Sequence, residues 1–297
     1  MTSPAFVLPL SQAVDLTSTL ASGQCFRWRP NSPTDLATWT GVIGQDLVRL
    51  RMAPGGLTID STPAPPAELA ESIASYLRLD DDLPAIQARI GRDTHVREGI
   101  DSYPGLRLLR QDPWETLAGF ILSSTSNIVR ISRTMELLAG TYGQPLTLDA
   151  VTRNTFPGPD VLAEAGEQAL RDLGCGFRAP YLAQAASAVA SGELRLDSLR
   201  DASYDDVLAA LTSLYGVADK IADCAMLFSL NRLDAFPADR WVRRVVVDLY
   251  GLPANVSYDG VRQWARERFG ADAGYANQYL FWSIRQATRP KRLTPSG

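Results

Sequence analysis

In LYGVADKIADC (residues 214–224) a glycine-containing turn runs straight into an apolar helix, and Lys220 stands at the head of that helix. The chain has 29 lysines and arginines, and all but Lys220 and Lys291 are arginine. Arginine supplies surface charge equally well, but only lysine can release its proton and act as a nucleophile. A lysine kept here is a candidate reactive amine.

The surrounding stretch YDDVLAALTSLYGVADKIADCAMLFSLNR (204–232) reads as two helices joined by a tight turn. The first is amphipathic, with Val207, Leu208, Leu211 and Leu214 at helical spacing, and Gly216 can take the left-handed conformation that ends it. The second, from about Asp219, is apolar on nearly all sides, as a buried helix is. Lys220 then lies in a first turn where the helix dipole and the low dielectric both disfavour its charge. At the ordinary lysine pKa of about 10.4 roughly one amine in a thousand is neutral at pH 7, a barrier of ~4 kcal/mol, part of which any site that favours the neutral amine recovers. The blander roles are a side chain snorkelling to solvent or an ion pair with Asp223 at i+3.

A carboxylate follows at a usable distance. In LDAFPADRWVRRVV (233–246) Pro237 and Asp239 mark a new helix start. The helix advances about 15 Å from Lys220 to Leu230, and the connection 231–237 can stretch roughly 23 Å, enough to return the chain to its starting level. Asp239 can therefore lie beside Lys220, or serve only as an N-cap. The unpaired N–H groups at Gly216–Lys220 point outward from a helix N-terminus and form a ready phosphate site.

Composition sets bounds on the rest. A length of 297 residues favours two domains, and 45% apolar with 21% charged residues is ordinary for a globular protein. No run of about 18 apolar residues is present, so no membrane partner is expected. MTSPAFVLPLSQ lacks the basic head and apolar stretch of a signal peptide. Cys25, Cys175 and Cys224 are far apart, which points to a reducing compartment and to no disulfide framework, metal site or other cofactor. His95, the single histidine, reads as a surface or packing residue. A net charge of −4 weighs against nucleic-acid binding without excluding a local basic face.

The fold class expected is α+β, a small N-terminal antiparallel sheet domain (1–104, with flanking helices) followed by a larger helical domain (105–297). CFRWR (25–29), WTGVI (39–43), DLVRLRM (46–52) and GLTID (56–60) read as strands, separated by turn signals and forming a sheet with one solvated face. TPAPPAEL (62–69) opens a helix, and almost everything beyond it has helical period. DPWETLAGFILSS (112–124) starts on a strong Asp-Pro-x-Glu signal, and further helices are expected around 126–140, 179–191, 204–214, 219–230, 238–250, 259–269 and 273–288.

LYGVADKIADC followed by FPADRW resembles the helix–hairpin–helix glycosylase/lyase superfamily. SGQCFRW (22–28), GLRLLRQDPWETLAGFILSSTSNIVRI (105–131), LGCGFRAPYL (173–182) and NQYLFWSIRQ (277–286) narrow the resemblance to the 8-oxoguanine DNA glycosylase family, in the family's order from about residue 6 to 289. The resemblance implies a base-excision DNA repair enzyme that flips the damaged guanine out of duplex DNA. Lys220 is then the nucleophile at C1′, forming a Schiff base whose β-elimination nicks the strand, and Asp239 stabilises the developing oxocarbenium ion.

The same resemblance assigns the Gly23 carbonyl to the N7 hydrogen of 8-oxoguanine. Cys224 and Phe281 become the walls around the base, and Gln278 or Asn277 reads its Watson–Crick edge. On the DNA side it implies Arg130 and Arg178 at the orphaned cytosine and Phe177 as the wedge beside it. Thr125, Asn127, the hairpin residues Gly216 and Ala218, and the pair Arg240 and Trp241 complete the DNA-binding set. Three departures stand out. Ala218 replaces a second hairpin glycine, Thr125 an asparagine that fills the vacated stack, and Trp241 a histidine near phosphate whose role passes to Arg240 or Arg243.

The expected partner is double-stranded DNA containing oxidised guanine, bound by a monomer in the cytoplasm if the source is bacterial. A helix–hairpin–helix glycosylase for other, alkylated bases and a non-catalytic DNA-binding hairpin protein are the alternatives. The first keeps the aspartate and lacks the lysine, and the second needs neither.

Overall fold

The computed structural model describes residues 6–288 except Pro33. Strands β1 (Phe6–Pro9), β2 (Arg29–Pro30), β3 (Thr38–Ile43), β4 (Asp46–Ala53) and β5 (Gly56–Thr62) form an antiparallel sheet in the order β1-β5-β4-β3-β2. The register sets Trp39 opposite Leu50 and Leu50 opposite Ile59, so alternate residues build one apolar face. Val48, Leu50, Leu57 and Ile59 on that face pack with Leu16, Leu20, Ile73 and Leu77 from the flanking segments. Each such fully buried side chain contributes ~1.5–3 kcal/mol.

The strands expected at 39–43, 46–52 and 56–60 are all present, one or two residues longer. CFRWR is a correction. Only Arg29 of it is in a strand, and residues 25–28 are irregular and buried. Side chains take over the hydrogen bonding that a ladder would supply. Gln24 Nε2 donates to the carbonyls of Thr19 and Arg107, its Oε1 accepts from Leu109 N, and buried Arg27 donates to the Asn154 carbonyl and pairs with Glu115 and Glu136.

A second correction concerns the supposedly helical half. Pro145–Leu148 (β6) and Val151–Asn154 (β7) form a hairpin that reaches back to the sheet. Leu148 packs on Val42 and Leu47, while Asp149 accepts from Arg49 at 2.8 Å. The far sheet face is thus covered at one end, and solvated only where residues such as Arg51 are exposed.

The larger core is helical. It takes in Leu83, Ile86, Val96 and Ile100 from the helices Leu83–Ile90 and Thr94–Ser102, as well as the helices further along the chain. Both of the next helices start on a capped residue, the first on the signal read in the sequence. Asp112 accepts from Glu115 N ahead of the helix Pro113–Ile121, and Asn127 accepts from Arg130 N ahead of Ile128–Tyr142. The helix Asp219–Ser229 is buried from Ile221 onward, and its Phe228 stacks on Phe120 with ring centroids 5.5 Å apart. His95 packs edge-on against Tyr250.

Candidate active site

The hairpin joins the helices Tyr204–Thr212 and Asp219–Ser229. Gly216 sits at its turn with φ +80°, and a Cβ there would lie 2.2 Å from the Tyr181 ring. Both the left-handed backbone and the close aromatic neighbour require glycine. Gly216→Ala is therefore expected to lose ~2–4 kcal/mol in urea denaturation, and a loss below about 0.5 kcal/mol would show that the turn relaxes freely. Ala218 differs. Its φ −94°, ψ 170° backbone is ordinary extended geometry open to any residue, so the second glycine is dispensable. No side chain caps the helix that follows, leaving its first N–H groups turned outward.

Lys220 and Asp239 line one cavity of about 420 Å³. The amine is half-buried. It donates to Ser123 Oγ at 2.8 Å and lies 5.3 Å from the centre of the Phe120 ring. It does not pair with Asp223, whose carboxylate accepts from the hydroxyls of Tyr204 and Tyr258 and lies 3.8 Å from Arg262. The two readings of Asp239 prove compatible. Its Oδ1 accepts from Trp241 N and Val242 N, both at 2.9 Å, capping the helix Arg240–Asp248 while the side chain borders the cavity.

The base-binding candidates converge on the same space. Gly23 (φ +82°), Cys224, Phe281, Asn277 and Gln278 all border the cavity. The left-handed backbone at Gly23 favours glycine, and a Cβ there would stand 2.7 Å from Ile128 Cδ1 and 3.4 Å from the Phe281 ring, so any larger residue would be strained and would push the Ile128 side chain aside. Cys224 lies one turn beyond Lys220. Burial pushes its thiol up to about 12, Lys220 draws it down and Asp239 raises it further, so at neutral pH it is an uncharged wall. Asn277 Nδ2 donates to the Pro237 carbonyl at 3.1 Å, while Gln278 Nε2 donates to the Ser22 carbonyl at 3.1 Å, next to Gly23.

Of the DNA-side candidates, Asn127, Arg240 and Trp241 also border the cavity. Arg240 is exposed, whereas Arg243 donates to the Val256 carbonyl at 2.6 Å, which leaves Arg240 as the freer cation. Thr125, Arg130, Phe177 and Arg178 lie outside the cavity lining on two adjoining segments. Arg178 joins them. Only 3% exposed, it donates Nε to the Ser124 carbonyl at 2.6 Å and Nη2 to the Thr125 carbonyl at 3.0 Å, and its guanidinium lies 4.2 Å from the centre of the Phe177 ring. Burial and the charge of Arg130 both lower its pKa. Phe177, 50% exposed, meets Tyr181 edge-on, and Tyr181 in turn meets Tyr215 of the hairpin. Sequence reasoning missed Ser123, Phe120 and Tyr215. The SST run at 123–125 marks the end of a helix but gives no sign of a partner 97 positions away.

The family model for the 8-oxoguanine DNA glycosylase N-terminal domain matches residues 7–117, and that for the HhH-GPD superfamily of base excision DNA repair proteins matches residues 118–270. The chain is 32% identical to N-glycosylase/DNA lyase OGG1 of Arabidopsis thaliana, over 90% of this chain and 76% of that protein. It is 30% identical to the N-glycosylase/DNA lyase of Saccharomyces cerevisiae, over 90% and 82% of the two chains. The 8-oxoguanine glycosylase/lyase of Clostridium acetobutylicum, solved with double-stranded DNA containing cytosine opposite 8-oxoguanine, superposes with a TM-score of 0.87 at 30% identity, covering 94% of each chain. The chain therefore belongs to the HhH-GPD superfamily of base excision DNA repair proteins and, within it, to the N-glycosylase/DNA lyase family.

Proposed function

We propose that this chain excises 8-oxoguanine from duplex DNA and then nicks the strand at the resulting site, with Lys220 as nucleophile. The observation that carries the reading is one cavity bordered at once by an amine, a carboxylate, a left-handed glycine backbone and the Phe281 ring. The amine attacks C1′, the C1′–N9 bond breaks, and its electron pair leaves with the base. Opening of the sugar ring gives an iminium, and loss of the C2′ proton from it expels the 3′ phosphate. Asp239 stabilises positive charge at C1′. Its capping bonds hold the carboxylate in place, so it need not reorganise during the reaction.

The base lies between Cys224 and Phe281, with the Gly23 carbonyl accepting the N7 hydrogen that guanine lacks. A buried carbonyl facing a lone pair instead makes guanine costly. Gln278, tethered beside Gly23, reads the Watson–Crick edge, while Asn277 holds the Pro237 segment that leads to Asp239. Phosphate binds at the uncapped hairpin helix near Gly216 and Ala218, with Arg240 and Trp241 alongside. Arg130 and the exposed Phe177 hold the opposite strand, while buried Arg178 pins the segment beside them rather than reaching the DNA, and Thr125 in place of asparagine relaxes discrimination there. Every assigned residue comes from one chain, and the reaction is proposed for the monomer.

Borohydride trapping on duplex containing 8-oxoguanine opposite cytosine tests the reading. A covalent protein–DNA band, absent with undamaged guanine, is expected, and no band with either duplex would sink it. Asp239→Asn keeps a good N-cap but removes the charge. Single-turnover excision is expected to slow on the order of 10²–10³-fold while duplex affinity stays within a few-fold. Unchanged excision would remove Asp239 from the chemistry.

A further inference from the structure

Lysine reaches its target through four rotatable bonds, so a nucleophilic lysine needs something to aim it. The hydroxyl of Ser123 is placed to do this. Ser123 follows the helix Pro113–Ile121 and is locked to the Phe120 carbonyl twice, by its N–H at 3.0 Å and by its hydroxyl at 2.6 Å. With its own proton committed there, Oγ can only accept from the amine, which donates to it at 2.8 Å. The Phe120 ring face borders the amine on another side, 5.3 Å from centroid to Nζ. Beyond Ser123 the chain is pinned as well, because buried Arg178 donates to the carbonyls of Ser124 and Thr125. The acceptor is therefore held rigidly from both directions along the backbone.

We propose that Ser123 is a positioning residue for Lys220, its oxygen holding the amine at the cavity in the orientation from which it attacks. The proposal rests on the reading of Lys220 as nucleophile and concerns a side chain that need not touch the DNA. Its effect falls on the step at C1′, and duplex affinity is not involved.

The test uses the full chain and a duplex carrying a pre-formed aldehydic abasic site opposite cytosine, so that Schiff-base formation is read without base recognition. The rate of borohydride trapping at saturating protein is measured beside the affinity for the same duplex. Ser123→Ala is expected to trap about tenfold more slowly, a difference of ~1.4 kcal/mol, with affinity within twofold of wild type. Ser123→Thr, which keeps the hydroxyl, restores most of the rate. An alanine variant that traps within twofold of wild type overturns the proposal. So does a threonine variant as slow as alanine, or a loss of rate matched by loss of affinity, since packing alone would then explain the effect. Should Ser123→Ala fail to fold, Ser123→Cys, close in size but a weak acceptor, takes its place with the same expected rate and the same overturning results. If wild type fails to trap, the reading of Lys220 falls first and carries this proposal with it.

Discussion

Lys220→Gln is expected to yield no borohydride-trapped adduct on 8-oxoguanine duplex and to excise the base on the order of 10³-fold or more slowly, while binding the duplex nearly as well as wild type. Glutamine is similar in length and can still donate to Ser123, so the cavity and its neighbouring walls Phe120 and Cys224 remain as they are. Lys220→Arg is the sharper variant. It retains the positive charge near the cavity, but a guanidinium cannot be deprotonated in a protein and does not form the imine. If charge alone mattered, the arginine variant would recover activity, whereas a nucleophile predicts that it traps as little as glutamine does. Persistent trapping in both variants would mean that the only other lysine, Lys291, or the terminal amine carries the chemistry. Lys291 lies outside the described residues.

How far the sequence could lead depended on whether a signal was local. The helices beginning at Pro113 and Arg240 are announced by capping residues whose bonds close within three positions. Strands β3 to β5 are legible for a similar reason, since alternation and short turns lie within one stretch. That Lys220 and Asp239 can border one cavity was within reach of the sequence because helix rise and connector reach are both limited by covalent geometry. CFRWR has strand composition, yet its neighbours in space are Glu115, Glu136 and Asn154, and their side-chain bonds outweigh local propensity. The β6–β7 hairpin was hidden because four-residue strands at Pro145–Leu148 and Val151–Asn154 carry too few alternating positions. Ser123 and the backbone grip of Arg178 had no local signature at all, since each reaches a partner more than 50 positions away.

Asp223→Ala is expected to cost ~3–5 kcal/mol in urea denaturation, the largest stability loss of any change near the site. Asp223 is fully buried three residues after Lys220, and three elements meet at its carboxylate. Tyr204 donates from the first hairpin helix, and Tyr258 donates at 2.7 Å from the helix Tyr258–Phe269. Arg262, which also pairs with Asp219 at 3.2 Å and Asp259 at 2.7 Å, lies 3.8 Å away. Alanine strands the buried Tyr204 hydroxyl, a donor costing ~1–3 kcal/mol without a partner, removes the acceptor of the half-buried Tyr258 hydroxyl, and leaves Arg262 leaning on its two more exposed aspartates. Asp223→Asn, which keeps the shape and can still accept, loses less than half as much. The consequence extends to chemistry because the Tyr258 hydroxyl also accepts from Ala238 N at 3.2 Å, one residue before Asp239. The buried carboxylate thus ties the hairpin that carries the amine to the segment that carries its acidic partner. Excision by Asp223→Ala, measured well below its unfolding midpoint, should therefore fall several-fold beyond the loss of folded protein. A stability loss under about 1 kcal/mol, or full excision by the folded fraction, would show that the segments carrying Lys220 and Asp239 keep their alignment without Asp223.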